Sequence, residues 1–237
     1  MCDLEKQTFV VLVLTTLDSV HDNKQGYVNL QRNAIVEVAA VKIKKGKIEG
    51  HYHSFVAIDG YDAHDIEFGD GNFTYDAKAC HLIGAPSFKE VVKKLHDYIG
   101  NSLLIVNSLS PSPNNPFIIF KDYARSFGYD FNNPAICMGH ILDAARLQKA
   151  VEDSGVKFEN ASTLQIAKML VYDKVNWTDI FADYDIFFNP DSEDFFDKGR
   201  NDPLSWALAF AQLFIKLVEQ DDDSLIEPLD DDCPFNV

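Results

Sequence analysis

Two apolar segments near the start of the chain, joined by turn residues to a third, restrict the possible folds more than any other feature. Residues 9–14 are a short run of Phe, Val and Leu, and residues 34–43 are a second run rich in Val, Ile and Ala. A Lys45-Gly46 turn leads into a third segment, residues 48–58, as expected for a hairpin. The continuous apolar character of the first run indicates a strand buried on both faces. The chain is therefore predicted to open with three antiparallel strands.

The rest of the chain alternates helical and strand patterns. Ala85-Pro86-Ser87 offers a helix start, and apolar residues then recur at helical spacing until Gly100. The other predicted elements are a loop over 60–73, a strand over 103–106, a loop over 107–116, a helix over 117–127, a strand over 135–138, helices near 141–151 and 162–171, and a last helix over 204–218 with Asp202 as its N-cap. This order describes a mixed sheet flanked by helices.

The charge of the chain disfavours a nucleic-acid partner. With 21 basic and 37 acidic residues the formal charge is −16, whereas affinity for phosphate backbones depends on Lys and Arg. A local basic cluster on the hairpin provides the candidate nucleic-acid-binding residues, Lys42, Lys44 and Lys45. Eight of the sixteen net negative charges lie in residues 219–237. We interpret residues 1–219 as one domain and residues 220–237 as an acidic tail.

Residues 1–6 lack the basic start and apolar stretch of a signal peptide, and no apolar run approaches the length of a membrane span. The four cysteines are too widely spread for a disulfide framework or a CxxC pair. We therefore expect a cytoplasmic protein with reduced thiols and no contact with a membrane.

A segment of about residues 173–202 interleaves acidic and aromatic side chains and is interpreted as an insertion in the domain. Exposed aromatic residues flanked by acids are typical of interfaces, so we expect a protein partner here. Alternatively, the aromatic side chains pack the insertion onto the core while the acids are solvated. The candidate partner-binding residues are Phe181, Phe187, Phe188, Phe195 and Phe196.

Four segments of the chain resemble segments of one known protein family. Residues 9–16 read FVVLVLTT, residues 35–41 read IVEVAAV, residues 85–88 read APSF and residues 207–217 read ALAFAQLFIKL. They resemble the F-V-V-x-D-x-E-T-T strand, the I-I-E-I-A-A-V strand, the A-P-S-F helix start and the A-L-A-x-A-x-L-F-L-K-L helix of the DnaQ-like (DEDDh) 3′→5′ exonucleases. The resemblance spans residues 8–218. It implies an α/β fold with an RNase H-like mixed sheet, in which the first three strands are antiparallel.

In that family four carboxylates and a histidine serve two Mg²⁺ or Mn²⁺ ions, which need oxygen ligands. No acid stands at the matching positions of this chain. The third acid falls on Ser112 when the strand is aligned without a gap, and on Pro116 when the alignment runs back from Gly128. The family-equivalent positions are therefore occupied by Val13, Thr15, Ser112 or Pro116, Asn201 and Trp206.

Neighbouring residues offer no obvious replacement for these ligands. Asp18 and Asp22 are expected in a loop beyond the first strand, and Glu37 matches a family glutamate that is not a metal ligand. His51 and His53 share one face of a predicted strand, but without a third ligand an ordinary sheet surface is favoured over a metal pair. We expect no catalytic residues and no metal cofactor.

These features favour a catalytically inactive exonuclease-fold protein, a pseudo-exonuclease, that acts as a binding or regulatory module rather than as an enzyme. One alternative is an active 3′→5′ exonuclease on single-stranded DNA or RNA ends, which the missing ligands disfavour. The other is a non-cleaving nucleic-acid binder, which the net charge disfavours.

Overall fold

The computed structural model describes residues 6–68, 79–112, 115–141, 143, 145, 147, 177–186 and 203–220. Its strands are β1 (Thr8–Asp22), β2 (Gly26–Lys44), β3 (Lys47–Phe55), β4 (Ile66–Glu67), β5 (Leu103–Val106) and β6 (Ala135–Cys137). Its helices are α1 (Phe88–Ile99), α2 (Pro116–Ser126), α3 (Trp177–Asp183) and α4 (Pro203–Gln220). A short 3₁₀ helix spans Ala79–Leu82, and helical conformation also begins at residue 138.

The strands form one mixed sheet in the order β3-β2-β1-β5-β6. The pairs β1–β2 and β2–β3 are antiparallel, whereas β5 runs parallel to β1 and β6 runs parallel to β5. The short β4 pairs antiparallel with the end of β1. The predicted mixed sheet with three antiparallel opening strands is confirmed.

The first half of β1 is buried on both faces, as its apolar run predicted. Because successive side chains of a strand point to opposite faces, Phe9, Val11 and Val13 pack against α4, where the rings of Phe9 and Phe214 lie 4.9 Å apart. Val10, Leu12 and Leu14 lie on the other face with the apolar sides of α1 and α2. The sheet is thus enclosed between two helical layers around β1.

The β1–β2 hairpin extends further than the sequence suggested, because β1 continues to Asp22 and the loop is only residues 23–25. The expectation that Asp18 and Asp22 lie in a loop is therefore wrong. Leu17 and Val20 enter a separate buried cluster with Ile66 and other distant apolar residues, so this part of the hairpin has its own core. Two register shifts, at Thr15/Thr16 and Leu17/Ser19, interrupt the pairing where the hairpin leaves the main sheet.

The starts of α1 and α2 follow from their capping residues. Ser87 and Glu90 form a capping box on α1: the Glu90 N–H donates to Ser87 Oγ at 3.4 Å, and the Ser87 N–H donates to Glu90 Oε2 at 2.9 Å. At α2 the side-chain oxygen of Asn115 accepts from the Phe117 N–H at 2.9 Å, and Pro116 occupies the first turn. Both predicted helices are confirmed to within one residue at their starts.

The last predicted helix is confirmed as α4, which packs across β1 and β2. Asp202, the predicted helix near 162–171 and the acidic tail from residue 221 lie outside the described residues, and the predicted helix near 141–151 is described only in part. Within the described part of the chain, no helix combines the length and the apolar character needed to cross a bilayer.

Candidate functional site

The candidate site lies on the sheet face that packs against α4, around Val13 and Thr15. Val13 has 0% exposure and stands opposite Ala39 on β2. Thr15, two residues further along the same face, has 3% exposure and stands opposite Glu37. We call these four residues the α4-face site. The resemblance places the first two acids of the family at Val13 and Thr15.

Trp206, at the position of the fourth family acid, is a packing residue of α4. Its ring stacks on Phe210 with centroids 5.6 Å apart and meets the edge of Phe181 on α3 at 6.1 Å. These aromatic residues belong to, or pack against, the same buried cluster as Val13. The side chains around the α4-face site are therefore mainly apolar and aromatic.

Phe181 has 0% exposure, so the expectation that it is presented to a partner is wrong. Ile180 and Ile186, on either side of it, are buried in the same cluster. For Phe181 the alternative interpretation holds: an aromatic residue of the insertion packs onto the core. The other candidate partner-binding residues, Phe187, Phe188, Phe195 and Phe196, lie outside the described residues.

The end of α3 is fixed by hydrogen bonds of a helix C-cap. The Ile186 N–H donates to the Phe181 carbonyl at 2.7 Å, and the Asp185 N–H donates to the Ala182 carbonyl at 2.9 Å. Asp185 takes the left-handed conformation that this cap requires, with φ of 51°. Lys216 of α4 donates its ammonium group to the Tyr184 carbonyl. The helix that carries Phe181 is thus tied directly to α4.

The polar groups that remain at the site come from three neighbouring strands. A 2.7 Å hydrogen bond joins Glu37 Oε1 to His53 Nε2, and the Glu37 side chain is wholly buried. The buried Thr15 hydroxyl has no hydrogen-bond partner among the described residues. His53 also packs against Phe55, at 5.5 Å between ring centroids.

We expected His53 to lie on an ordinary sheet surface. Its side chain is instead hydrogen-bonded to the buried Glu37. His51 is exposed, whereas His53 is partly buried. His53 lies opposite Ala39 on β2, which places it diagonally across from Glu37 and within reach of its carboxyl group. A register shift between Lys42 and Ile43 sets this pairing. In the register of the Lys45-Gly46 turn alone, His53 would lie opposite Val38, on the other face of the sheet from Glu37.

The α4-face side chains do not fit a pair of divalent cations. Val13 and Ala39 carry no donor oxygen, Thr15 carries a neutral hydroxyl, and the carboxyl of Glu37 is engaged by His53. Nowhere in the described residues do three or more His, Cys, Asp or Glu side chains form a group that could hold a metal ion. Asn201, at the position of the family histidine, is not among them.

The two candidates for the third family acid lie at the start of α2. Pro116 is the first residue of the helix, and Ser112 is exposed in the loop before it. The Ser112 carbonyl accepts from the Asn115 N–H at 2.9 Å. Asn115 also holds this loop by donating its side-chain amide to the carbonyls of Ser108 and Ser110, at 3.1 and 2.7 Å. Both candidate positions are occupied by groups without a carboxylate.

The candidate nucleic-acid-binding lysines lie at the other end of the sheet. Lys44 pairs with Thr8, which is seven residues along β1 from Thr15, or about 23 Å at the usual rise of a strand. Lys42 Nζ lies 4.4 Å from the ring centroid of Tyr98, and Lys44 Nζ lies 3.2 Å from Glu49 Oε1. Lys45 is exposed in the turn. The structure does not bring these lysines together with the α4-face site.

No family model matches the chain, and no curated protein matches its sequence. Solved structures do match. A 3′-exonuclease that recognises the 3′ end of histone mRNA stem-loop has a TM-score of 0.52 and 11% identity over 93% of this chain and 67% of that one.

Two further solved structures match with lower scores. Exonuclease X in complex with 5′ overhanging duplex DNA has a TM-score of 0.43 and 14% identity, over 91% of this chain and 94% of that one. E. coli Exonuclease I in complex with an oligonucleotide has a TM-score of 0.48 and 10% identity, over 91% of this chain and 41% of that one. At such identities a match shows the fold alone. The chain therefore has an exonuclease-like α/β fold.

Proposed function

We propose that this chain is a catalytically inactive exonuclease-fold protein that serves as a binding or regulatory module. The observation that carries the proposal is the burial of Val13 and Phe181 in one apolar cluster, where the resemblance implies metal-binding carboxylates. Two-metal hydrolysis of a phosphodiester needs anionic oxygen ligands that hold both ions a few ångströms apart.

The packing of the site supports the same conclusion. Clustered carboxylates repel one another in the absence of cations, so replacing them with Val13 and Trp206 stabilises a chain that binds no metal. Trp206 and Phe181 supply aromatic volume to the buried cluster that contains Val13. The exonuclease fold thus serves as a scaffold, and its function depends on surfaces other than this pocket.

The partner that we favour is a protein in the cytoplasm. A second candidate is nucleic acid, because the matched 3′-exonuclease recognises an RNA stem-loop. The net charge of −16 opposes it, and Lys44 is already paired with Glu49.

The test of catalytic inactivity is a 3′→5′ degradation assay. Single-stranded RNA and DNA with a label that reports 3′ shortening are incubated with the purified protein and Mn²⁺, with EDTA in a parallel reaction. We expect no shortening with or without EDTA. Shortening that EDTA stops, and that a Thr15→Val variant loses, would overturn the proposal.

Filter binding of the same oligonucleotides at low salt separates the two candidate partners. We expect no specific retention. One variant replaces Lys42, Lys44 and Lys45 with Ala, and the control replaces the three exposed α1 lysines, Lys89, Lys93 and Lys94. Retention that falls in the first variant but not in the control would favour nucleic acid.

A further inference from the structure

A groove of about 1030 Å³ lies between β2 and α2, away from the α4-face site. One wall contains residues 33–35 of β2 and the chain that follows β3, and the other contains Ile119, Asp122 and Tyr123 of α2. Its volume is at the upper end of the range for ligand pockets in proteins.

The groove exists because the chain leaves the sheet after β3. The Val56 N–H still donates to the Val36 carbonyl at 2.9 Å, as a continuing strand would. The next N–H, that of Ala57, points away from β2, as in any antiparallel edge strand, and donates to the Pro86 carbonyl before α1, also at 2.9 Å. The ladder between β2 and β3 itself ends at Glu37 and Phe55. β2 continues to Gly26 beyond this point, so the space beside it is open. This departure also explains why β3 ends at Phe55, before the predicted residue 58.

The wall formed by α2 is held in place by specific contacts. The Tyr123 hydroxyl donates to the Asp59 carboxylate across 64 residues of sequence, and the Tyr123 ring packs on Phe88 at 4.5 Å between centroids. Phe88 is 2% exposed at the start of α1. The groove is therefore a preformed feature of the fold, which lowers the entropic cost of binding.

The lining combines apolar side chains with carboxylates. Ile35 and Ile58 are buried, and Ile119 is partly buried. Among the described lining residues, the charged side chains are Asp59 and Asp122, and none is Lys or Arg. Asp122 has a neighbour in Arg125 at 3.6 Å, but both side chains are more than half exposed, so this pair is weak.

We propose that this groove binds an extended peptide segment of a partner protein that carries both apolar and basic side chains. The apolar side chains would lie against Ile58 and Ile119, and Lys or Arg would meet the carboxylates of Asp59 and Asp122. A nucleic acid is disfavoured because its phosphates would face the same carboxylates. The acidic residues 219–237 of this chain are disfavoured for the same reason. The proposal does not depend on whether the α4-face site is inactive.

The test uses a fluorescein-labelled eight-residue peptide that alternates lysine and valine, followed by fluorescence anisotropy with the full chain. A lysine–serine peptide and a glutamate–valine peptide are the controls for the apolar and the basic contributions. We expect the lysine–valine peptide to bind most tightly. Backbone amide shifts in NMR spectra of the labelled protein should change for residues 57–59 and 119–123.

Two variants locate the binding in the groove. In Asp59→Asn/Asp122→Asn the amide of residue 59 can still accept from Tyr123, while two charges are lost, so we expect binding to weaken about fivefold to tenfold. Ala57→Trp fills the groove and should abolish binding. The matched control Glu49→Gln/Asp97→Asn removes two exposed acids beside the N-terminal end of β1. It should leave binding unchanged.

Several results would overturn the proposal. They are equal binding of the glutamate–valine peptide, equal weakening in the control variant, amide shifts confined to other surfaces, and absence of binding at millimolar peptide. Competition by an oligonucleotide for the same amides would assign the groove to nucleic acid instead. Because no step involves hydrolysis, failure here would leave the inactivity of the α4-face site untouched.

Discussion

Glu37 and His53 are joined by a 2.7 Å hydrogen bond between neighbouring strands, with the carboxyl group of Glu37 fully buried and His53 26% exposed. A buried carboxyl group is costly unless it is hydrogen-bonded. The side chain of His53 therefore supports an acid that lies directly opposite Thr15 in the α4-face site.

His53→Ala should lower the free energy of unfolding by about 1.5–3 kcal/mol, the usual contribution of a hydrogen bond to a charged group. The matched control is His51→Ala, on the same face of β3 but exposed, which should change stability by less than about 0.5 kcal/mol. Urea denaturation of the two variants measures the difference. Equal losses would show that the bond to Glu37 contributes nothing specific.

Phe181→Ala should destabilise the protein by about 3–5 kcal/mol, because it leaves a cavity in a packed core. Tyr27→Ala, an aromatic truncation at a side chain with 63% exposure, is the control and should cost less than about 0.5 kcal/mol. If the Ala variant does not fold, the milder Phe181→Leu should still cost about 1 kcal/mol.

Tryptophan emission provides a second readout of the same contact. The chain has two tryptophans, so a Trp177→Phe background leaves Trp206 as the reporter. We expect Phe181→Leu to shift the emission of Trp206, since the two rings lie 6.1 Å apart. Unchanged emission and stability would mean that α3 does not pack there in solution.

The capping box of α1 should make stability depend on pH. The hydroxyl and backbone N–H of Ser87 hold the pKa of Glu90 below its ordinary value of 4.5. A depressed pKa in the folded state gives a contribution that is present above the unfolded pKa and is lost as pH falls through the folded pKa. Glu90→Gln should therefore lower the urea midpoint at pH 7, and the gap from the parent protein should close at low pH.

Ser87→Ala provides the control for this prediction. Without the Ser87 hydroxyl, the loss of stability that Glu90→Gln causes at pH 7 should become smaller, because the largest cause of the pKa shift is gone. A gap between Glu90→Gln and the parent protein that is constant from pH 7 to pH 3 would contradict the capping contribution.

Lys45→Asn should stabilise the β2–β3 hairpin by about 0.4–1 kcal/mol. Lys45 and Gly46 have φ of 52° and 68°, as in a two-residue type I′ turn, and Asn tolerates this conformation better than Lys. Lys47→Asn, an exposed change within β3, serves as the control and should not stabilise. Thermal unfolding of both variants would show the difference, and a loss of stability in Lys45→Asn would contradict the turn assignment.

The main elements of the fold were predictable because each carries a local signal. The apolar run from Phe9 predicted the central strand, and Ser87 with the helical spacing after it predicted α1. The extension of β1 to Asp22 was not predictable, because the side chains that bury Leu17 and Val20 come from residues such as Ile58 and Leu82. Burial that depends on distant segments cannot be recognised from a short window of sequence.

The contacts within the candidate site were not predictable from the sequence. Val13 and Trp206, which the resemblance aligned with two family acids, belong to and pack against one buried cluster. The resemblance did not reveal that α3 lies there, since Phe181 sits among acidic residues that suggested an exposed surface. The Glu37–His53 pair was missed because two separate strands contribute its members and because the register shift between Lys42 and Ile43 changes the pairing that the turn alone would set.

Metal binding at the α4-face site can be measured in crystals soaked in Mn²⁺, at a wavelength where manganese scatters anomalously. We expect no anomalous peak beside Val13 and Thr15, and continuous density for the side chains of Phe181 and Trp206. Two peaks about 4 Å apart at that position, coordinated by carboxylates, would contradict catalytic inactivity and indicate a two-metal nuclease site.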